Sequence, residues 1–264
     1  MTRIWAIAVN TFREAMRNKV LYTIVFFACL LILFAWVLGQ LSLHEEVRVT
    51  RDLGLGGISL FGVVLAVFVG VNLVYKEIER KTVFALIPKP LGRSQFIVGK
   101  FLGMVLTLAV QMGLMCGVLW GTLLVQGAGF DAALLRAVLL LFMQVVVMTA
   151  IAVLFSSFST PFLSGLFTAG LFAIGRSLPD LVTFVDTRIE SPAARQAVRA
   201  GLELLPDLHL FHVSGSLVDG KYVSVHAGGY VSWGYVAWTS GYGLLYAACA
   251  LVVAAMIFAR RDFV

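Results

Sequence analysis

The chain has 264 residues, of which 60% are hydrophobic and 13% charged, with a formal net charge of +6 and a mean hydropathy of +0.96. Soluble domains carry about 25% charged residues, spread so that apolar runs are short, so a soluble globular protein is excluded. Whole stretches long enough to cross a bilayer carry no charge at all, which defines an all-α membrane protein forming a single membrane domain over residues 1–264.

In chain order, residues 1–19 alternate apolar and basic positions. Ile4, Ile7, Ala8, Phe12, Ala15 and Met16 fall at helical spacing on one side, with Arg3, Asn10, Arg13 and Arg17 mostly on the other. The segment reads as a helix lying in the membrane interface, or more plainly as the positive flank of the first span; no cleavable signal is expected. Uncharged stretches then cover 20–43, 53–75, 101–130, 137–175 and 222–259. A span needs about 20 residues at about 1.5 Å rise, so the fourth stretch is too long for one helix. Ser156, Ser157, Ser159, Thr160 and Pro161 interrupt it with turn chemistry. Six spans are predicted, near 20–40, 57–76, 99–126, 134–156, 161–178 and 233–258.

Lys and Arg concentrate on the cytoplasmic side of membrane proteins. Placing both termini inside assigns twelve of the 20 basic residues to the cytoplasm, from Arg3, Arg13, Arg17 and Lys19 through Lys76–Lys100 to Arg260 and Arg261, against four acids. A multi-pass protein of the cytoplasmic (inner) membrane with both termini cytoplasmic is expected, and no nucleic-acid partner. Cys29, Cys116 and Cys249 lie far apart within spans and imply no disulfide framework. The third span carries Gly113, Gly117 and Gly121 at four-residue steps, after Gly99 and Gly103. Small residues so spaced allow close helix packing, on a neighbouring helix or a second subunit.

Between the second and third spans, Val74–Lys100 holds eight of the 34 charged residues. Lys76–Ile87 is predicted as a short amphipathic cytoplasmic helix. Pro88, Pro90 and Gly92 then force a bend, and Ser94 can cap the next helix. Beyond the fifth span, residues 179–232 form an outer segment. Ser191 before Pro192 predicts a helix start there, and Ala194, Val198, Leu202 and Leu205 share a face opposite Arg195, Arg199 and Glu203.

Chemistry within the chain is sparse. The spans hold no ionisable group at their centres, which disfavours ion-driven coupling, and no G-x-x-x-x-G-K-[ST] loop is present, so an external energy source is indicated. His209 and His212 at i, i+3 could face one metal, but no acidic or thiolate ligand accompanies them and no metal site is expected. No nucleophile elbow surrounds any serine, and no catalytic residue is expected.

The pattern E-x-E-x-x-T-x-x-x-L-x-x-x-P-x-x-R-x-x-x-x-x-x-K, filled by Glu77, Glu79, Thr82, Leu86, Pro90, Arg93 and Lys100, resembles the type-2 ABC exporter permease family. The N-terminal amphipathic segment, the six spans, the long outer segment and the C-terminal "FARRDF" extend the resemblance over the whole chain. It implies that residues 76–93 are a coupling helix seated in a cleft of a separate ATPase, which would hold the ATP and Mg. Two permease copies and two ATPase copies would make one transporter. By the same resemblance, Glu77 and Glu79 meet basic residues of the ATPase or of the interface helix, with Arg13 and Arg17 as intrachain partners. Thr82 makes a helix-surface contact, Pro90 and Arg93 set the re-entry bend, and Lys100 anchors the third span at headgroup level. Small outer helices between the last two spans would roof the route. Many members have Gly before the Thr; Lys81 stands there in this chain, so the helix is expected to run further. The expected function is the transmembrane subunit of an ATP-driven exporter, not itself an enzyme. The alternatives are a membrane anchor or assembly factor without a transport cycle, or an ion-coupled carrier.

Overall fold

The computed structural model describes residues 2–41, 46–79, 93–129, 132–188, 191–213, 216–218, 221–223 and 231–260. The helices are α1 (Thr2–Met16), α2 (Lys19–Gln40), α3 (Glu46–Glu79), α4 (Arg93–Val125), α5 (Ala132–Ser156), α6 (Pro161–Arg176), α7 (Leu178–Arg188), α8 (Pro192–Glu203) and α9 (Trp233–Arg260). Five of them, α2, α3, α4, α5 and α9, are each long and apolar enough to cross a membrane, and α6 with α7 make a sixth, broken candidate bent by 66°. The predicted spans thus coincide with helices, with two differences. α3 begins eleven residues before the expected 57, because Arg48 and Asp52, one turn apart, lie on its own surface as an ion pair at 3.9 Å. The fifth expected span is cut short where Pro179 starts a new helix. A small antiparallel hairpin, β1 (Ser216–Val218) with β2 (Lys221–Val223), pairs Leu217 with Tyr222 in the outer segment.

The turn from α1 into α2 is made by Asn18, whose side chain accepts from the Val20 N–H. α4 ends in a Schellman motif: Ala128 N–H donates to the Leu123 carbonyl, Gly127 N–H to that of Leu124, and Gly127 takes φ 78°. α5 is the centre of the bundle, with Leu140, Val145, Met148 and Ile151 all buried. It packs against α3 on one side and α9 on the other. Gly62 and Gly70 let α3 approach it: a Cβ on Gly62 would sit 2.8 Å from Val145, and one on Gly70 2.6 Å from Ala152. Within this contact Gln144 donates to the Ser59 hydroxyl at 3.1 Å, both residues buried. The ends of three helices are tied together by Gly39 on α2, Thr50 on α3 and Gln126 after α4, where Gln126 Nε2 donates to Thr50 Oγ1 at 2.9 Å. A Cβ on Gly39 would lie 2.4 Å from that same hydroxyl. We call this end of the bundle distal and the end bearing α1 and Glu79 proximal.

Helix α1 docks on α4 by its apolar face. Ala8, Thr11 and Ala15 are buried, whereas Trp5, Asn10, Arg13 and Arg17 are exposed. The docking site is made by glycine: a Cβ on Gly103 would stand 2.5 Å from the Ala8 carbonyl oxygen and 2.7 Å from Thr11 Cβ, and one on Gly99 2.9 Å from Ile7 Cβ. Gly113, Gly117 and Gly121, further along the same helix, meet nothing within 4 Å. Within the described residues, then, Gly99 and Gly103 make the close helix contact, and Gly113, Gly117 and Gly121 are open towards whatever lies outside this chain. Gly103→Leu should push α1 off its seat, because the obstructing atom is backbone, and cost about 1–3 kcal/mol. Thermal melting in detergent checks this. The midpoint should fall by several degrees for Gly103→Leu and stay put for Gly117→Leu.

Candidate functional site: an apolar cleft with a tethered roof

Helices α3 and α6 diverge to leave a cleft of about 470 Å³, walled by Val63, Val67, Val71, Pro161, Gly165 and Phe172 among others. Gly165 makes the narrowing: its open face looks at Val67, 3.6 Å from where a Cβ would be. The polar side chain at this cleft is Asn72, whose Nδ2 donates to the Phe68 carbonyl one turn back at 2.9 Å. Among the described residues no charged side chain lines it.

Residues 204–213 form a strap that runs back along α9. Tyr235 Oη donates to the Leu210 carbonyl at 2.8 Å, the Asp207 N–H donates to Tyr242 Oη at 3.0 Å, and Tyr246 Oη donates to the Leu204 carbonyl at 3.3 Å. As α9 proceeds from its distal end, its partners in the strap fall in residue number, so the two run antiparallel. Eleven residues of α9 separate Tyr235 from Tyr246, about 16 Å along the helix. The strap is wedged in place by Phe211, fully buried in a short 3₁₀ turn (His209–Phe211), against Gly243 and near Val147, which would stand 3.0 and 3.3 Å from a Gly243 Cβ. Asp207 starts that turn by accepting from the His209 N–H at 3.1 Å, and burial raises its carboxyl above the usual range against that bond.

The strap also closes on the end of α6. The Leu208 N–H donates to the Gly175 carbonyl at 3.1 Å, and a Cβ on Gly175 would strike the Pro206 oxygen at 2.6 Å. Arg176 Nη2 lies 2.9 Å from His212 Nε2. A guanidinium only donates, so this nitrogen accepts and the ring proton sits on Nδ1. Burial, then the charges of Arg176 and His209, pushes the His212 pKa down to about 4. The consequence for stability has a definite sign. An unfolded-state histidine protonates near 6.5 and the folded one only near 4, so stability falls as pH drops through that interval. Melting in detergent from pH 7 to pH 4.5 should show the decline, and His212→Gln should flatten it. Among the described residues no three His, Cys, Asp or Glu come together as a metal site.

The residues expected to serve ATPase coupling sit at the proximal end or outside the described residues. Lys76–Glu79 is the last turn of α3 and not the start of a separate helix, so Glu77 and Glu79 ride on the same rod that walls the cleft. Thr82 and Pro90 lie outside the described residues. Arg93 is the first residue of α4; Arg13 on α1 and Arg17 in the turn after it are exposed at this same end. Lys100 is 3% exposed, its Nζ 5.4 Å from the centre of the Phe96 ring. It is thus folded into the protein instead of reaching outward to headgroups. Arg51, near the distal end of α3, is buried too, at 7%. What the sequence reading did not find is the tether of Tyr235, Tyr242 and Tyr246; their spacing of seven and four was the available sign, since it puts all three on one helix face.

Five helices long and apolar enough to cross a membrane, with a sixth broken candidate, describe a multi-pass membrane protein. Residues 5–263 match the model of the ABC-2 family transporter proteins, and the chain belongs to that family. It is also 32% identical over 137 residues to a probable ABC transporter permease protein, NosY, of Stutzerimonas stutzeri; the match covers 48% of each chain.

Proposed function

We propose that the chain is the membrane-spanning subunit of an ATP-driven exporter, acting as two copies with a separate ATPase that carries ATP and Mg. It resides in the cytoplasmic membrane with its proximal end, and both termini, on the ATPase side. The observation that carries this is α3. One uninterrupted helix of 34 residues, about 50 Å long, starts in the distal knot of Gly39, Thr50 and Gln126, walls the apolar cleft, and ends in Glu77 and Glu79. Force applied by an ATPase to the segment 76–93 would reach the cleft through a single rod. The cleft opens when α3 shifts against α6, and the strap, held on α9, limits what leaves at the distal end. Uncharged walls suit an amphipathic or lipid-linked cargo better than a small hydrophilic ion.

Membrane vesicles containing the chain and its ATPase test the reading. Flux should stop on ATP depletion and survive an uncoupler, and cargo should stimulate ATP hydrolysis. Flux lost to the uncoupler alone would make the protein an ion-coupled carrier, and no stimulation at all would make it an anchor or assembly factor.

A further inference from the structure

We propose that Arg176, at the distal mouth of the α3–α6 cleft, selects an anionic amphiphile as cargo, with the phosphate or carboxylate head on the guanidinium and the apolar chain in the cleft; this rests on the reading of the cleft as the cargo route. On α6 the cleft is walled by Pro161, Gly165 and Phe172, with Ala169 between the last two. Steps of four, four and three keep these residues within about 80° of the helix circumference, at about 3.6 residues per turn. Four residues further on, Arg176 falls inside the same arc, one turn beyond Phe172, as the last residue of the helix. The uncharged wall runs about 16 Å from Pro161 to Phe172 and ends on a cation.

That cation lacks a counter-charge. In a continuous helix Asp180 would pair with Arg176 at i, i+4, but the 66° bend between α6 and α7 falls between them. Among the described residues no carboxylate acts on Arg176. Two acids of the roof are engaged elsewhere: Asp186 accepts from Arg199 Nε at 2.9 Å, and Asp207 accepts from the His209 N–H at 3.1 Å. What Arg176 meets is the neutral His212 ring, 2.9 Å from its Nη2. The carbonyl end of α6 offsets only a part of a full positive charge. His212 uses one of the five N–H groups of the guanidinium, which leaves donors for a ligand. Phosphates and carboxylates accept from a guanidinium through two parallel bonds, each roughly twice as strong as a neutral one.

The two features together define the ligand. A neutral or cationic amphiphile fills the cleft and leaves Arg176 unmatched, whereas a free anion matches Arg176 and leaves the cleft unfilled. An anion carrying an apolar chain satisfies both. Such a head lies directly beneath the roof, because the strap is fastened at this point, by the Leu208 N–H to the Gly175 carbonyl and by His212 to Arg176.

The test uses the full-length chain with its ATPase in phosphatidylcholine nanodiscs, and radiolabelled dodecyl phosphate as the probe. The probe should bind, stimulate ATP hydrolysis and be displaced by dodecanoate, but not by inorganic phosphate or dodecyltrimethylammonium. Arg176→Gln should weaken binding at least tenfold, and Arg176→Lys should restore most of it. Gly165→Leu, which fills the narrowing opposite Val67, should weaken binding with the charge still in place. His212→Leu frees the strap from Arg176 and keeps the charge, so binding should persist; a loss equal to that of Arg176→Gln would trace the effect to roof structure and overturn the proposal. Displacement by inorganic phosphate would assign Arg176 to a free anion and overturn it as well. Displacement by phosphatidylglycerol in the disc, with ATP hydrolysis unmoved by the probe, would make Arg176 a seat for a resident bilayer lipid and remove its role in selecting cargo. Stimulation of ATP hydrolysis by dodecyltrimethylammonium or dodecanol, with dodecyl phosphate unbound, would overturn the anionic head and leave the exporter reading standing.

Discussion

Glu77→Lys should leave the chain inserted and folded, and abolish most of its transport. Topology follows the Lys and Arg balance of short loops, and adding one basic residue to a side already rich in them reinforces the same orientation. Glu77 lies in the last turn of α3, at the proximal end and past the cleft-lining Asn72. If an ATPase seats the segment 76–93, the reversal places a cation where a partly desolvated cation of the partner is expected. Breaking such a pair costs a few kcal/mol, against roughly 0–1 for an exposed one. A few kcal/mol corresponds to a hundredfold or larger fall in coupled flux. Glu77→Ala should fall less far, and a reversed charge on the ATPase, or at Arg13 or Arg17, should restore the function of Glu77→Lys and so name the partner. Wild-type flux from a normally inserted Glu77→Lys chain would reduce the segment to a topological signal and withdraw its coupling role.

How far the fold is legible in the sequence depends on which force made each element. Spans are set by the absence of charge over about 20 residues, a property of composition, and the predicted 20–40, 134–156 and 233–258 fall within two residues of α2, α5 and α9. The start of α3 was not legible, because Arg48, Arg51 and Asp52 look like loop residues until folding buries Arg51 and a helical turn pairs Arg48 with Asp52. The helix after Ser191 was visible from Ser-Pro, and α8 begins there, although the Ser191 hydroxyl makes no capping bond. Glycine spacing pointed at the right helix, and within this chain only the first part of the stripe is used. A four-residue step says that a backbone can approach, and only the partner's position says where; α1 takes Gly99 and Gly103 and leaves Gly113, Gly117 and Gly121 open. The cleft needs the relative placement of α3 and α6, which residue types do not encode locally.

The strap is the least legible part and bears the second large effect. Phe211 is fully buried with Gly243 on one side and α5 on another, in a 3₁₀ turn that nothing in its neighbourhood predicts. Phe211→Ala removes a ring at a position where the surroundings are held by long helices and cannot close in, so the full cost of about 3–5 kcal/mol for an aromatic deletion is expected. The loss is local in consequence. The backbone bonds of Leu210 and Asp207 to Tyr235 and Tyr242 remain, yet the wedge that presses the strap toward α9 is gone, and the contact of Leu208 with Gly175 loosens with it. The melting midpoint should drop by roughly 10 °C, at 2–4 °C per kcal/mol for a chain of this size. If the strap is the distal gate, passive leak through the permease should rise at the same time, in vesicles without ATP. Phe211→Leu, which refills most of the space, should recover the midpoint and the seal together. A midpoint restored by leucine with the leak still present would separate packing from gating and place the gate elsewhere; a destabilised Phe211→Ala protein that stays tight would show that the strap is a structural brace and not a barrier.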